Sequence, residues 1–385
     1  MPGVLLARPA LIAKVREHVS RDVPEDAIKN EGRVLQLLGF VPAHFDYEAK
    51  TYALLESQLA GFYEPSDGTM YMASDLDDDN ADATLLHELV HALQDQRWDL
   101  GKRSQYRPGQ GDRSSAFSAL AEGDATSAMA DVLLARANPG MTAIDLPDEL
   151  FAEQVMGGLS AGPTADVPHI MKTSLVAPYI DGTLFIHRLR RQGGWAAVNK
   201  AWDDPPVTSE QILHGEKWES REPAATAVVP TARVLGEGWA VADADTYGEL
   251  GSRLAFEEWV GSKDASFLAA GWGGDSGVLL KKNELYAFAW RIRYDEAKAP
   301  HRDSRAQVAF AALVAALSPA HTDKKRGEGA PFCIERSELG PLAVTRQDRD
   351  LLIVAGPAAT GGNSWSAAGD CAKARAWLAE IAGVR

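Results

Sequence analysis

The segment His87-Glu88-Leu89-Val90-His91 constrains this 385-residue chain more than any other. Residues four apart lie one above the other on a helix, so a helix here presents two imidazoles to a single point. Glu88 sits about 100° round from His87, where its carboxylate can reach water held at that point without joining the donor set. The flanking residues predict a helix over about 83–98. On a helical wheel, Leu86, Leu89, Val90 and Leu93 gather on one side and predict its buried face. His87, Glu88, His91, Gln94, Asp95 and Trp98 fall on the other side and predict a polar arc turned to a cleft.

Two imidazoles at this spacing suit a zinc ion, and a catalytic zinc takes three protein donors and keeps one position open for water. The candidate third donor is Glu122, in Ala119-Leu120-Ala121-Glu122-Gly123-Asp124-Ala125-Thr126, on a second helix expected over about 115–135. Ser118, Ala119, Ala125 and Thr126 share its face, and side chains so small predict a close approach to the first helix. Asp124 is the rival donor but points off that face. No third histidine follows His91 at the metzincin spacing. Water attack on a carbonyl also calls for a donor to the oxyanion, and His214, Tyr179 and Tyr63 are the candidates. Asp95, one turn past His91, is placed either to orient a metal-bound imidazole or to pair with Lys102 or Arg103.

An HExxH helix followed by Glu122-Gly123-Asp124-Ala125, a Glu-x-x-Ala pattern, resembles the gluzincin class of zinc metallopeptidases. The resemblance implies a short antiparallel edge strand ahead of the metal helix that pairs with extended substrate, and residues 61–72 are placed to supply it. Further segments are similar to those of poorly characterised bacterial proteins grouped as metallopeptidases. They are Gly61-Phe62-Tyr63-Glu64-Pro65, His87 through Gln96, Ala121 through Thr126, Ser209-Glu210-Gln211-Ile212-Leu213-His214 and Gly271-Trp272-Gly273-Gly274-Asp275. Together they span most of the chain in order. Such proteins often carry an export signal, which this sequence does not display.

The remaining composition bounds these expectations. A net charge of −15 argues against nucleic acid and anionic membrane as main partners. Charged residues at 24% and apolar residues at 45% describe an ordinary folded chain, long enough for two domains. No stretch approaches the ~20 apolar residues of a membrane helix. Arg8, Pro9 and Lys14 interrupt the first apolar patch too early for a signal-peptide core, which leaves a cytoplasmic protein or one whose leader has been removed. Cys333 and Cys371 lack metal-site spacing and read equally as a single bridge or as two buried thiols.

Along the chain, residues 10–60 read as helices, one opened near Asp22 and Pro24 and ended by Gly39. Two short strands, Gly61-Phe62-Tyr63 and Thr69-Met70-Tyr71-Met72, flank the turn Pro65-Ser66-Asp67-Gly68. An acidic loop is expected from Asp75 to Asp82. Helix is expected over 178–202 with a break at Gly193-Gly194, over 246–260, over 304–317 and after Asp370. Strands are expected near 277–281, 285–293, 331–336 and 341–355, with 271–275 as a tight loop. The expectation is therefore an α+β protein with a zincin-like catalytic domain at 1–225 and a smaller α+β domain at 226–385. Its expected activity is zinc-dependent hydrolysis of a peptide or protein substrate, with Glu88 as general base. The alternative is a zinc-containing binding or scaffold protein with little turnover.

Overall fold

The computed structural model describes residues 2–153, 167–230, 232–296, 304–318, 330–361 and 364–384. It is an α+β protein. The first part of the chain runs β1 (Gly3–Leu6), α1 (Arg8–Asp22), α2 (Ala27–Leu38), α3 (Tyr47–Gln58), β2 (Gly61–Glu64), β3 (Thr69–Ala73), α4 (Asp78–Trp98), α5 (Leu100–Arg103) and α6 (Gly111–Ala137). Next come α7 (His169–Asp203) and the short α8 (Ser209–Leu213) and α9 (Gly215–Glu219). The remainder runs β4 (Ala240–Asp245), α10 (Gly248–Val260), α11 (Ser262–Ala269), β5 (Trp272–Lys282), β6 (Leu285–Tyr294) and α12 (Arg305–Leu317). It ends with β7 (Phe332–Ile334), β8 (Leu342–Gln347), β9 (Asp350–Gly361), β10 (Ser364–Ala367) and α13 (Cys371–Ala382). Among the described residues no helix is long and apolar enough to cross a membrane.

The chain divides into two compact units. Unit 1 holds residues 1–25, 49–107 and 113–222, and unit 2 holds 26–48, 108–112 and 223–385. Chain order alone had assigned 26–48 and 108–112 to the first domain, whereas both group with the second.

In unit 1, β3 pairs in parallel with β1 and antiparallel with β2, in the order β1-β3-β2. The Pro65–Gly68 turn closes the β2–β3 hairpin, with Gly68 at φ +65° as its turn chemistry requires. Ala73 N–H donates to the Ala60 carbonyl, which sets the phase of the ladder. Alternation then directs the backbone groups of Phe62 and Glu64 toward β3 and those of Gly61 and Tyr63 toward the open edge. Gly61 has no room for a side chain, because a Cβ there would lie 2.8 Å from the Tyr71 carbonyl oxygen and 2.9 Å from the Thr84 methyl.

Helix α4 starts earlier than expected. Asp77 caps it by accepting from the Asn80 N–H, and Asp78 and Asp79 occupy the first turn, where carboxylates favour the helix dipole. Much of the expected acidic loop is thus helix start. The faces of α4 also depart from the wheel's prediction, with Leu86 and Val90 only half-buried. Leu89 and Leu93 are 39% and 61% exposed, while Glu88, His91 and Gln94 are buried at 6%, 8% and 1%. The polar arc can be buried because neighbouring elements supply its hydrogen-bond partners, as the site shows.

Beside the Ala121 carbonyl that Gln94 of α4 reaches, Ala119 and Gly123 serve a second close contact, with α7. A Cβ on Gly123 would overlap the Gly182 carbonyl of α7, and a Cβ on Gly182 would overlap the Ala119 carbonyl of α6. These positions let α6 and α7 cross backbone to backbone, over a core that includes Phe117, Leu120, Phe185, Ile186, Leu189 and Trp202. Helix α7 departs from helical geometry at Gly193 and Gly194, where the sequence predicted a break.

Unit 2 is built on a sheet in the order β4-β5-β6-β9-β8-β7, with β10 on β9. Helix α13, capped by Asp370, packs Trp377, Leu378 and Ile381 into a cluster with Leu280, Leu352 and Val354. Cys333 and Cys371 form a disulfide joining β7 to the start of α13. The expected strand 341–355 is two, β8 and β9, folded at Asp348 with φ +51°. The expected loop 271–275 is instead largely the entry to β5, and its Asp275 is a buried hub. It accepts from the Tyr247 and Gly248 N–H groups and from the indoles of Trp272 and Trp290 at 2.8–3.2 Å.

Candidate metal centre

Helix α4 sends His87 and His91 to the same side, and α6 brings Glu122 against them. The two Nε2 atoms are 3.0 Å apart. Glu122 Oε2 lies 3.0 Å from His87 Nε2 and 3.5 Å from His91 Nε2. Donors held at zinc distances in a tetrahedral arrangement lie about 3.3 Å apart, so the spacing fits one ion with room for a fourth ligand. The donor types, two imidazoles and a carboxylate, suit zinc equally.

The charges respond to this crowding. Burial alone would raise the Glu122 carboxyl, but the adjacent imidazoles outweigh it and hold that carboxyl well below the usual range. Burial would lower His91, yet Glu122 outweighs it and lifts the ring to about 9.

Glu88 lies beside the trio with its own anchor, since Tyr63 N–H on the open edge of β2 donates to Glu88 Oε2 at 2.7 Å. Burial raises the Glu88 carboxyl, with the two histidines opposing. The side chains share a cleft of about 450 Å³ whose walls include Gly61, Tyr63, Phe117 and Tyr179.

Among the described residues, His87, His91 and Glu122 form one of two groups of three or more His, Cys, Asp or Glu side chains close enough to hold an ion.

A family model described as a domain of unknown function (DUF8575) matches residues 233–364. That stretch lies within unit 2, whereas every residue of the trio and its cleft is in unit 1. No curated protein and no solved structure matches the chain.

The other expected site residues separate. Tyr179 lines the cleft, with its ring 5.9 Å from that of His87. The nearby Glu122 charge, followed by burial, raises that phenol well above its ordinary value. Tyr63 also lines the cleft, but its hydroxyl donates to Asp95 Oδ2 at 3.0 Å. His214 does not reach the cleft. It occupies the junction of α8 and α9, and its backbone N–H bonds the Glu210 carbonyl.

Asp95 and Asp124 also take roles other than those expected. Asp95 accepts from Tyr63 and from Gly101 N–H and does not contact a histidine. Asp124 stays apart from the trio, accepting from Gln94 Nε2 and Trp202 Nε1 at 2.9 Å each. Gln94, which sequence reasoning placed only on the polar arc, touches His91, with its Oε1 2.8 Å from His91 Nδ1. The signal available was its position three residues after His91 on the same face.

Proposed function

We propose that this protein is a zinc-dependent hydrolase of amide bonds, acting on peptide or protein substrates. One observation carries the reading: Nε2 of His87, Nε2 of His91 and Oε2 of Glu122 converge at 3.0–3.5 Å, with the anchored carboxylate of Glu88 alongside. A zinc ion held by these three side chains would supply the Lewis acid for water attack on a carbonyl.

The chain's own residues account for the remaining chemistry. Glu88 takes the proton of the attacking water and passes it to the leaving amine, and its burial favours a more basic carboxylate. Tyr63 N–H fixes that carboxylate in place. Tyr179 retains its proton at ordinary pH and stands at the cleft wall, which suits a donor to the oxyanion. The open edge of β2 offers Gly61 N–H and C=O and Tyr63 C=O to an extended substrate backbone.

The test is zinc content measured together with cleavage of a peptide library, for the wild type and Glu88→Gln. The variant should keep zinc and fold while losing ~10²–10⁴-fold in rate. Undiminished cleavage by zinc-loaded Glu88→Gln would defeat the mechanism. Zinc binding without cleavage by the wild type would favour a binding protein that has kept the motif.

A further inference from the structure

A buried chain of polar groups runs from the back of His91 to the far side of α6. His91 Nδ1 meets Gln94 Oε1 at 2.8 Å. Gln94 Nε2 donates to the Ala121 carbonyl at 3.1 Å and to Asp124 Oδ2 at 2.9 Å. Trp202 Nε1 donates to the same Asp124 oxygen at 2.9 Å. Gln94 is 1% exposed and Asp124 7%, so water does not substitute for these partners.

The network leaves no freedom in how its hydrogens are arranged. The Ala121 carbonyl can only accept, so the amide nitrogen of Gln94 must face it and the amide oxygen must face His91. An oxygen there requires a proton on His91 Nδ1. The lone pair of the neutral ring is then on Nε2, which points at His87 and Glu122. Helix α6 thus holds the site from both sides, with Glu122 as donor at the front and Asp124 acting through Gln94 at the back.

We infer that Gln94 and Asp124 are positioning residues that fix the tautomer and orientation of His91 for metal binding. This rests on the proposed metal site. An amide in direct contact with His91 polarises the ring without adding a third negative charge beside Glu88 and Glu122. The carboxylate is held one group further back, where the Trp202 indole also holds it.

The test combines zinc affinity, from chelator competition, with nitrogen-15 histidine spectra of the zinc-loaded protein. The His91 Nδ1 proton should be slow to exchange and shifted downfield in the wild type and should lose both properties in Gln94→Leu. Zinc affinity should fall about 10–100-fold in that variant, as loss of a partner to a metal-bound imidazole usually does. Gln94→Glu alone should also weaken zinc, because it sets two carboxylates against each other. Gln94→Glu combined with Asp124→Asn removes the clash of carboxylates but leaves an acceptor facing the Ala121 carbonyl, so it should recover only part of the affinity. An unchanged zinc constant in Gln94→Leu, with the wild type binding zinc, would overturn the positioning role alone. A wild type that binds no zinc would overturn the metal site and this role together.

Discussion

At the scale of single residues, the site depends on donor chemistry that small substitutions can separate. Glu122→Gln keeps size and helix propensity but replaces an anionic donor with a neutral amide. It should therefore lower zinc occupancy, whereas Glu88→Gln should leave occupancy intact. His87→Ala or His91→Ala should abolish binding altogether. Metal analysis of the purified variants checks all of these, and full zinc in either histidine variant would reject the donor set. In unit 2, Asp275 makes a separate pH prediction. Burial outweighs its four N–H donors and raises its carboxyl to about 6. A carboxyl raised on folding contributes stability that is complete below its unfolded value near 3.8 and is lost as pH rises through about 6. The loss amounts to about 3 kcal/mol. Asp275→Asn cannot titrate, so unfolding curves collected between pH 4 and 7 should show a flatter dependence in the variant. Identical slopes would show that Asp275 does not carry this effect.

At the scale of elements, the decisive contact is the α6–α7 crossing. Gly123 follows Glu122 directly, and Gly182 lies three residues after Tyr179 in α7. The same close approach that seats the two helices therefore brings the Tyr179 phenol near Glu122. Gly123→Ala must push the helices apart, and overpacking of this kind costs about 1–3 kcal/mol. Urea unfolding should show that loss, and zinc affinity should fall with it as Tyr179 leaves Glu122. Unchanged stability would contradict the crossing. Helix α4 shows where element-level reading from sequence fails. A wheel ranks faces by side-chain polarity, and it selected Leu86, Leu89, Val90 and Leu93 for the core. The buried face is the one for which Tyr63, Ala121, Glu122 and Asp124 provide partners. Those partners lie on β2 and α6, which no window centred on α4 contains.

At the scale of the whole molecule, the two units divide the chemistry. The trio and its cleft are in unit 1, and the disulfide is in unit 2. The bridge spans 38 positions, for which loop-closure entropy gives about 4 kcal/mol of stabilisation. Replacing both Cys333 and Cys371 by Ser should lower the guanidinium midpoint of unit 2, followed by its tryptophan fluorescence, and leave zinc content unchanged. A fall in zinc content would show that the bridge supports more than its own unit. Segment 26–48 is the clearest case of a grouping that chain order misassigns. The end of its helix α2 at Gly39, here with φ +85°, was expected, although the helix starts at Ala27 and not near Asp22. Its membership in unit 2 depends on contacts with residues some two hundred positions away, such as Asn30 Nδ2 with the Ala242 carbonyl at 3.2 Å.

Sequence alone determined what short-range geometry controls. The four-residue spacing of His87 and His91 stacks two imidazoles on any helix. Turn residues close the β2–β3 hairpin, Asp370 starts α13, and Gly193-Gly194 breaks α7, each through the backbone preferences of a few adjacent residues. Only the tertiary structure decided which face of α4 is buried and that Gln94 rather than Asp95 touches His91. It also brought Tyr179 rather than His214 to the cleft and committed the Tyr63 hydroxyl to Asp95. The physical reason is the same in each case. A polar side chain is buried where distant residues satisfy its hydrogen bonds, and those partners are known only once α4, α6, α7 and β2 have been brought together.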